Sequence, residues 1–194
     1  MIPNPIMKQI LLTFYLILSC ISFAQNGSRG SIAKATETPV DGTKRALIIG
    51  VSDYNEKELQ LNYADNDAIL FKNYLSIVEG LSDEDISLLI NQDAVSLNIL
   101  KAFKSLLKKT NSGDIIYIYF AGHGDVIDDF GEKEGFLLAT DANANQEYYS
   151  GGTIPFSLLE KILTSFISKE SKVILILDAC QSGFPFKGTS QKNM

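Results

Sequence analysis

Two short stretches place reactive side chains directly after apolar runs. "YFAGHGD" (119–125) sets the only histidine of the chain, His123, between two glycines, and "VILILDACQSG" (173–183) ends a Val/Ile/Leu run in Asp178 and Cys180. A thiol beside an imidazole can perform acyl transfer, because the imidazole takes the thiol proton and the resulting thiolate attacks a carbonyl carbon. Taken singly, each residue also has a structural explanation: an Asp that caps a helix, a small buried Cys, a lone exposed His. Their placement favours chemistry. Both runs read as strands buried on two faces of a parallel sheet, so His123 and Cys180 fall at carboxyl ends of strands, where open α/β sheets bind ligands.

The elements that would position them alternate. "RALIIGVSDY" (45–54) is an apolar strand running into a loop, and "ADNDAILFKNYLSIVE" (64–79) has Ala64, Ala68, Phe71, Leu75 and Val78 at helical spacing. "ISLLIN" (86–91) predicts a second strand and "SLNILKAFKSLLKKT" (96–110) a second amphipathic helix, with lysines at its C-terminal end where they suit the helix dipole. "DIIYIYFAGHG" (114–124) is the third strand, "IPFSLLEKILTSFIS" (154–168) a third helix with Pro155 near its first turn, and the Val173 run the last strand. Residues 125–153 read as irregular and acidic, with "EGFLLATDA" (134–142) adding a short strand in a hairpin. This alternation implies a parallel sheet covered by helices on both faces.

Composition narrows the class. The 194 residues, 45% hydrophobic, suffice for one globular domain but not for a polytopic membrane protein. A net charge of −6 and the lack of any Lys/Arg-rich stripe argue against a nucleic-acid partner. At the N-terminus, Lys8, the apolar core Ile10 to Phe23 and "SFAQ" predict an export signal over residues 1–24, cleaved after Ala24. Two other readings stay open: a lipoprotein-type site in "ILSC" that leaves Cys20 lipidated, and an uncleaved anchor. All three put the domain outside the cytoplasm, in the periplasm or beyond the cell. Residues 25–43 are small, polar and aperiodic, a flexible linker, so the folded domain is expected over 44–194. No Gly-rich phosphate loop and no spaced set of metal ligands is present, so neither a nucleotide nor a catalytic metal is implied.

Three separated motifs carry a family resemblance. "YIYFAGHG", "LILDACQSG" beginning downstream of it with Cys180 57 positions after His123, and the opening "RALIIGVSDYNEKELQLNYADNDA" together resemble the caspase and metacaspase superfamily, peptidase family C14. The likeness covers roughly residues 44–186, the large-subunit half of that fold. It implies a caspase-like three-layer sandwich, incomplete at the C-terminus, in which His123 and Cys180 are the catalytic dyad and backbone amides around Gly124 and Cys180 cradle the oxyanion. Asp178 stands where caspases that cut after aspartate have Gln. By the metacaspase resemblance it would line the specificity pocket, with Asp67 of "NDA" as a second pocket carboxylate, and a carboxylate there pairs with Arg or Lys before the cut. Asp67 has an equally good structural reading near a helix N-terminus.

The resemblance thus implies a cysteine endopeptidase acting on protein or peptide substrates with a basic residue before the scissile bond. The alternative is a catalytically silent caspase-like interaction module. Because strands beyond Cys180 complete the sheet in this superfamily, a further C-terminal segment or second subunit is an expected partner, and this chain alone is expected to be nearly inactive. No cofactor is required for the chemistry. Many metacaspases use calcium, for which Asp128, Asp129 and Asp141 are candidate ligands.

Overall fold

The computed structural model describes residues 42–129, 131–145, 148 and 151–179. The expected export signal, most of the linker and Cys180 lie outside these residues. Among those described, no helix is long and apolar enough to cross a membrane.

The strand β1 (Lys44–Gly50) is followed by helix α1 (Ala64–Ile77), β2 (Ile86–Ile90), α2 (Ser96–Lys109) and β3 (Ile115–Ala121). Next come β4 (Gly124–Asp129), β5 (Glu132–Leu138), a short β6 (Thr153–Pro155), α3 (Phe156–Ile167) and β7 (Lys172–Asp178). Strands β1, β2, β3 and β7 form one sheet in the order β2-β1-β3-β7, every pairing parallel. The apolar runs explain this: residues on both faces of β1 and β3 are buried, as a sheet with helices on each side requires.

One face carries Leu47, Ile49, Ile118 and Phe120 into a core shared with Ile99 and Phe103 of α2 and Leu159 and Phe166 of α3. On the other, Ile48, Tyr117 and Tyr119 pack with Ala64, Ala68 and Leu75 of α1. Small residues let α1 sit low on the sheet: a Cβ on Gly50 would lie 2.5 Å from the Ala64 carbonyl oxygen and from the Ala68 Cβ.

The expected strands and helices are all present, with ends displaced by a few residues. Residues 125–153 differ. Among the described residues there, β4 pairs antiparallel with β5, and β5 with β6, making a second three-stranded sheet, while 139–145 stay without regular structure. "GFLL" is therefore the central strand of this sheet as well as half of a hairpin. β4, "GDVIDD", is too acidic to read as a strand, yet it pairs through its backbone, which ignores side-chain polarity. Pro155 ends β6 in extended conformation and α3 starts after it, so the proline sits at the boundary as the sequence suggested.

Candidate active site

The carboxyl ends of β1, β3 and β7 are sewn together at the turn that carries the histidine. Val51 N–H donates to the Ala121 carbonyl at 2.9 Å, and Gly122 N–H donates to the Asp178 carbonyl at 3.2 Å. His123 follows at once, and its own carbonyl accepts from Leu138 N–H at 3.0 Å, tying the turn to the second sheet.

The imidazole is oriented by backbone. His123 Nε2 lies 3.0 Å from the Leu59 carbonyl oxygen. A carbonyl only accepts, so Nε2 carries a proton, and whenever the ring is neutral the lone pair is on Nδ1. Leu59 belongs to a single turn, Lys57–Leu59, in the loop between β1 and α1. The same loop supplies Tyr54, which is 2% exposed, with its ring centroid 5.3 Å from that of the histidine. Burial raises the Tyr54 phenol well above its ordinary value, so it stays protonated and can donate.

That loop is held by a network which sequence reading missed. Asn91 Oδ1 accepts from the amides of Ser52 and Asp53, both at 2.9 Å, while its Nδ2 donates to Asp65 Oδ2 at 2.9 Å. The Ser52 hydroxyl donates to Asp65 Oδ1 at 2.7 Å and accepts from the Asp65 amide at 3.1 Å. These bonds, from Ser52 first and then Asn91, hold the Asp65 carboxyl below its ordinary value. The one local signal was Asn91 itself: it has φ 46°, a left-handed conformation that Asn tolerates better than most residues.

Asp178 ends β7 opposite Ala121 and is exposed. Asp67 lies in the first turn of α1, half-buried, its amide donating to the Tyr63 carbonyl at 2.9 Å. The two carboxylates share a neighbour. Tyr119 is stacked on Phe71 of α1 at 4.6 Å, and burial, then the charge of Asp178, then that of Asp67 push its phenol up to about 12. Among the described residues neither aspartate makes an ion pair, so two carboxylates that both act on Tyr119 are left without a salt-bridge partner. Gly124 opens β4 opposite Leu137, directly after His123. Cys180, two residues beyond β7, is outside the described residues, so its distance to the imidazole is not part of this geometry.

Of the acidic residues considered for calcium, Asp141 is engaged within the protein. Both Asp141 oxygens are taken by Ser96 at the start of α2, from its amide at 2.7 Å and its hydroxyl at 2.8 Å. Asp128 is exposed on β4, and the Asp129 side chain lies outside the described set. Among the described residues no three His, Cys, Asp or Glu side chains are grouped as metal ligands. No chemical step is assigned to a metal.

A parallel sheet with helices on both faces and a histidine turn at its carboxyl edge defines a caspase-like α/β protein. A solved protein from Geobacter sulfurreducens superposes with a TM-score of 0.59 at 20% identity, covering 73% of this chain and 52% of that one. The chain belongs to the metacaspase, peptidase C14 domain family, whose profile matches residues 44–187. It is 28% identical over 148 residues to Metacaspase III c of Phaeodactylum tricornutum, covering 73% of this chain and 43% of the relative. With Metacaspase-1 of Plasmodium falciparum it shares 30% identity, covering 72% and 24%, and with Metacaspase-6 of Arabidopsis thaliana 28%, covering 72% and 38%. The chain therefore spans less than half the length of each of these relatives.

Proposed function

We propose that the chain carries the catalytic dyad of a cysteine endopeptidase that cuts after Arg or Lys. The observation that carries this reading is the orientation of His123: Nε2–H is engaged by the Leu59 carbonyl at the carboxyl edge of the sheet, which leaves Nδ1 to exchange protons. In the proposed cycle, Nδ1 takes the Cys180 proton and the thiolate sulfur bonds to the peptide carbonyl carbon. His123 then protonates the departing amine as the C–N bond breaks, and next deprotonates a water that attacks the thioester and releases the thiol. The amides of Gly124 and Cys180 are the proposed oxyanion donors. The half-buried Asp67 and the exposed Asp178, which make no ion pair among the described residues, support a pocket for a basic side chain.

A silent interaction module is the second reading. It is favoured by the apolar flank of α1, where Leu70 is 64% and Ile77 82% exposed. Such a flank fits an element that functions only when covered.

Thiol alkylation and peptide hydrolysis together test both readings. A small alkylator should label Cys180 faster than a model thiol at neutral pH, and His123→Ala should slow it. Fluorogenic peptides differing only before the scissile bond should be cut after Arg or Lys. Labelling indifferent to His123 would sink the dyad, preference for Asp would sink the pocket, and fast labelling with no turnover under any condition would leave the module.

Export forms part of the proposal. N-terminal sequencing of the mature protein should begin at Gln25, and a start at Met1 or at a lipidated Cys20 would overturn that cleavage.

A further inference from the structure

Strand β4 begins with a defect in its pairing, and a tyrosine from another element fills it. Beyond the pair of Gly124 with Leu137, the next residues outward along the ladder are His123 and Leu138. Pairs in an antiparallel ladder alternate between those that exchange two N–H···O bonds and those that exchange none, and the bond from Leu138 N–H makes this one of the first kind. Here one is made, from Leu138 N–H to the His123 carbonyl at 3.0 Å. The other is replaced by a bridge: His123 N–H donates to Tyr54 Oη at 2.8 Å, and Tyr54 Oη–H donates to the Leu138 carbonyl at 3.2 Å. The hydroxyl thus occupies the place of a missing ladder bond and holds the His123 amide away from its partner strand.

Two features show that this place is shaped for the tyrosine. A Cβ on Gly122 would lie 2.8 Å from Tyr54 Oη, so glycine leaves the space through which the hydroxyl reaches the ladder. The Tyr54 backbone is itself anchored, because its carbonyl accepts from the Gln60 side-chain amide, and Ser52 and Asp53 just before it are clamped by Asn91. The loop that holds Tyr54 against the His123 amide also supplies the Leu59 carbonyl that holds the imidazole.

We infer that Tyr54 is a positioning residue for His123: its inserted hydroxyl sets the histidine backbone so that the ring meets the Leu59 carbonyl through Nε2 and presents Nδ1 to the thiol. The inference rests on the dyad proposed above. Removing the hydroxyl leaves the ladder free to close, His123 N–H moving onto the Leu138 carbonyl and turning the imidazole out of register. Small errors of placement at a reacting group are costly in rate.

The test uses the full chain and iodoacetamide. Tyr54→Phe keeps the ring and should lower the Cys180 alkylation rate at neutral pH by roughly 10- to 100-fold. It should also move the pH–rate profile of alkylation toward that of a free thiol, a change that general loosening of the fold does not produce. In a His123→Ala background the same substitution should have no further effect. If His123→Ala alone leaves alkylation unchanged, the dyad reading fails. If His123→Ala slows alkylation while Tyr54→Phe leaves rate and profile unaltered, or if the two effects add, the positioning role fails. Should Tyr54→Phe not fold, the unaltered protein still decides: NMR should find the His123 amide protected from exchange and the neutral ring protonated at Nε2, and a rapidly exchanging amide or the opposite tautomer overturns the inference.

Discussion

The two ends of the parallel sheet hold aspartates in opposite circumstances. At the amino end Asp114, with a side chain 4% exposed, accepts from the amides of Thr43 and Asn111, both at 2.8 Å, and forms an ion pair with Arg45. Arg45 in turn reaches Asp85 at 3.5 Å. Every acceptor there is engaged, and the charge closes a structure. At the carboxyl end Asp178 is exposed, Asp67 is half-buried, and among the described residues neither makes an ion pair. The same residue type therefore does two jobs. Where its lone pairs are consumed by the protein it stabilises, and where they are left toward solvent it is available to something that is not part of the protein.

Substituting the closed end should have the largest effect. Asp114→Ala strips partners from two amides and leaves the mostly buried Arg45 guanidinium without its main counter-charge, so it should cost about 3–5 kcal/mol in chemical denaturation. A loss below about 1 kcal/mol would show that this end is no more structural than the other.

An intermediate effect is expected at Asp65, which is at the carboxyl end yet fully engaged by Ser52 and Asn91. Asp65→Ala should cost about 1–2 kcal/mol at pH 7, as for a carboxylate whose hydrogen bonds are lost. Its folded carboxyl lies below the ordinary value, so the contribution is fully present above the ordinary carboxylate range and is lost as pH falls through the folded value. Melting temperatures of wild type and Asp65→Ala should therefore converge on acidification. A gap that stays constant down to acid pH would place the effect outside the carboxylate.

The open end should respond least in stability. Asp178→Asn should change unfolding free energy by no more than about 0.5 kcal/mol, while abolishing any preference for basic peptides. It should also bring the Tyr119 phenol down from about 12, though not to its ordinary value, because burial is the larger cause and Asp67 remains. Tyrosine NMR across alkaline pH reads this directly. An unmoved Tyr119, or a destabilisation like that at Asp114, would erase the contrast between the two ends.

The order of strands and helices was legible because burial writes itself locally. β3 is apolar at every position since both of its faces are covered, and α2 repeats its buried Ile99, Phe103 and Leu106 at helical spacing. The placement of His123 at a strand's carboxyl end followed from that pattern alone. The strand β4 did not, because an acidic hairpin strand is held by backbone pairing with β5 and leaves no apolar signature.

What only the tertiary structure decided are the contacts that aim the histidine. Leu59, Tyr54 and Leu138 meet at His123 or at one another through bonds spanning 64, 69 and 84 positions of sequence. Two of these groups act through backbone carbonyls, which every residue has, so no residue type could announce them. Tyr54 read only as the last residue of a strand running into a loop, and its hydroxyl acquired a role when folding placed it in the gap between His123 and Leu138. Periodicity reports which side of an element is dry, since that depends on neighbours three or four residues away. It is silent on which distant carbonyl an imidazole will find, since that depends on where the chain returns in space.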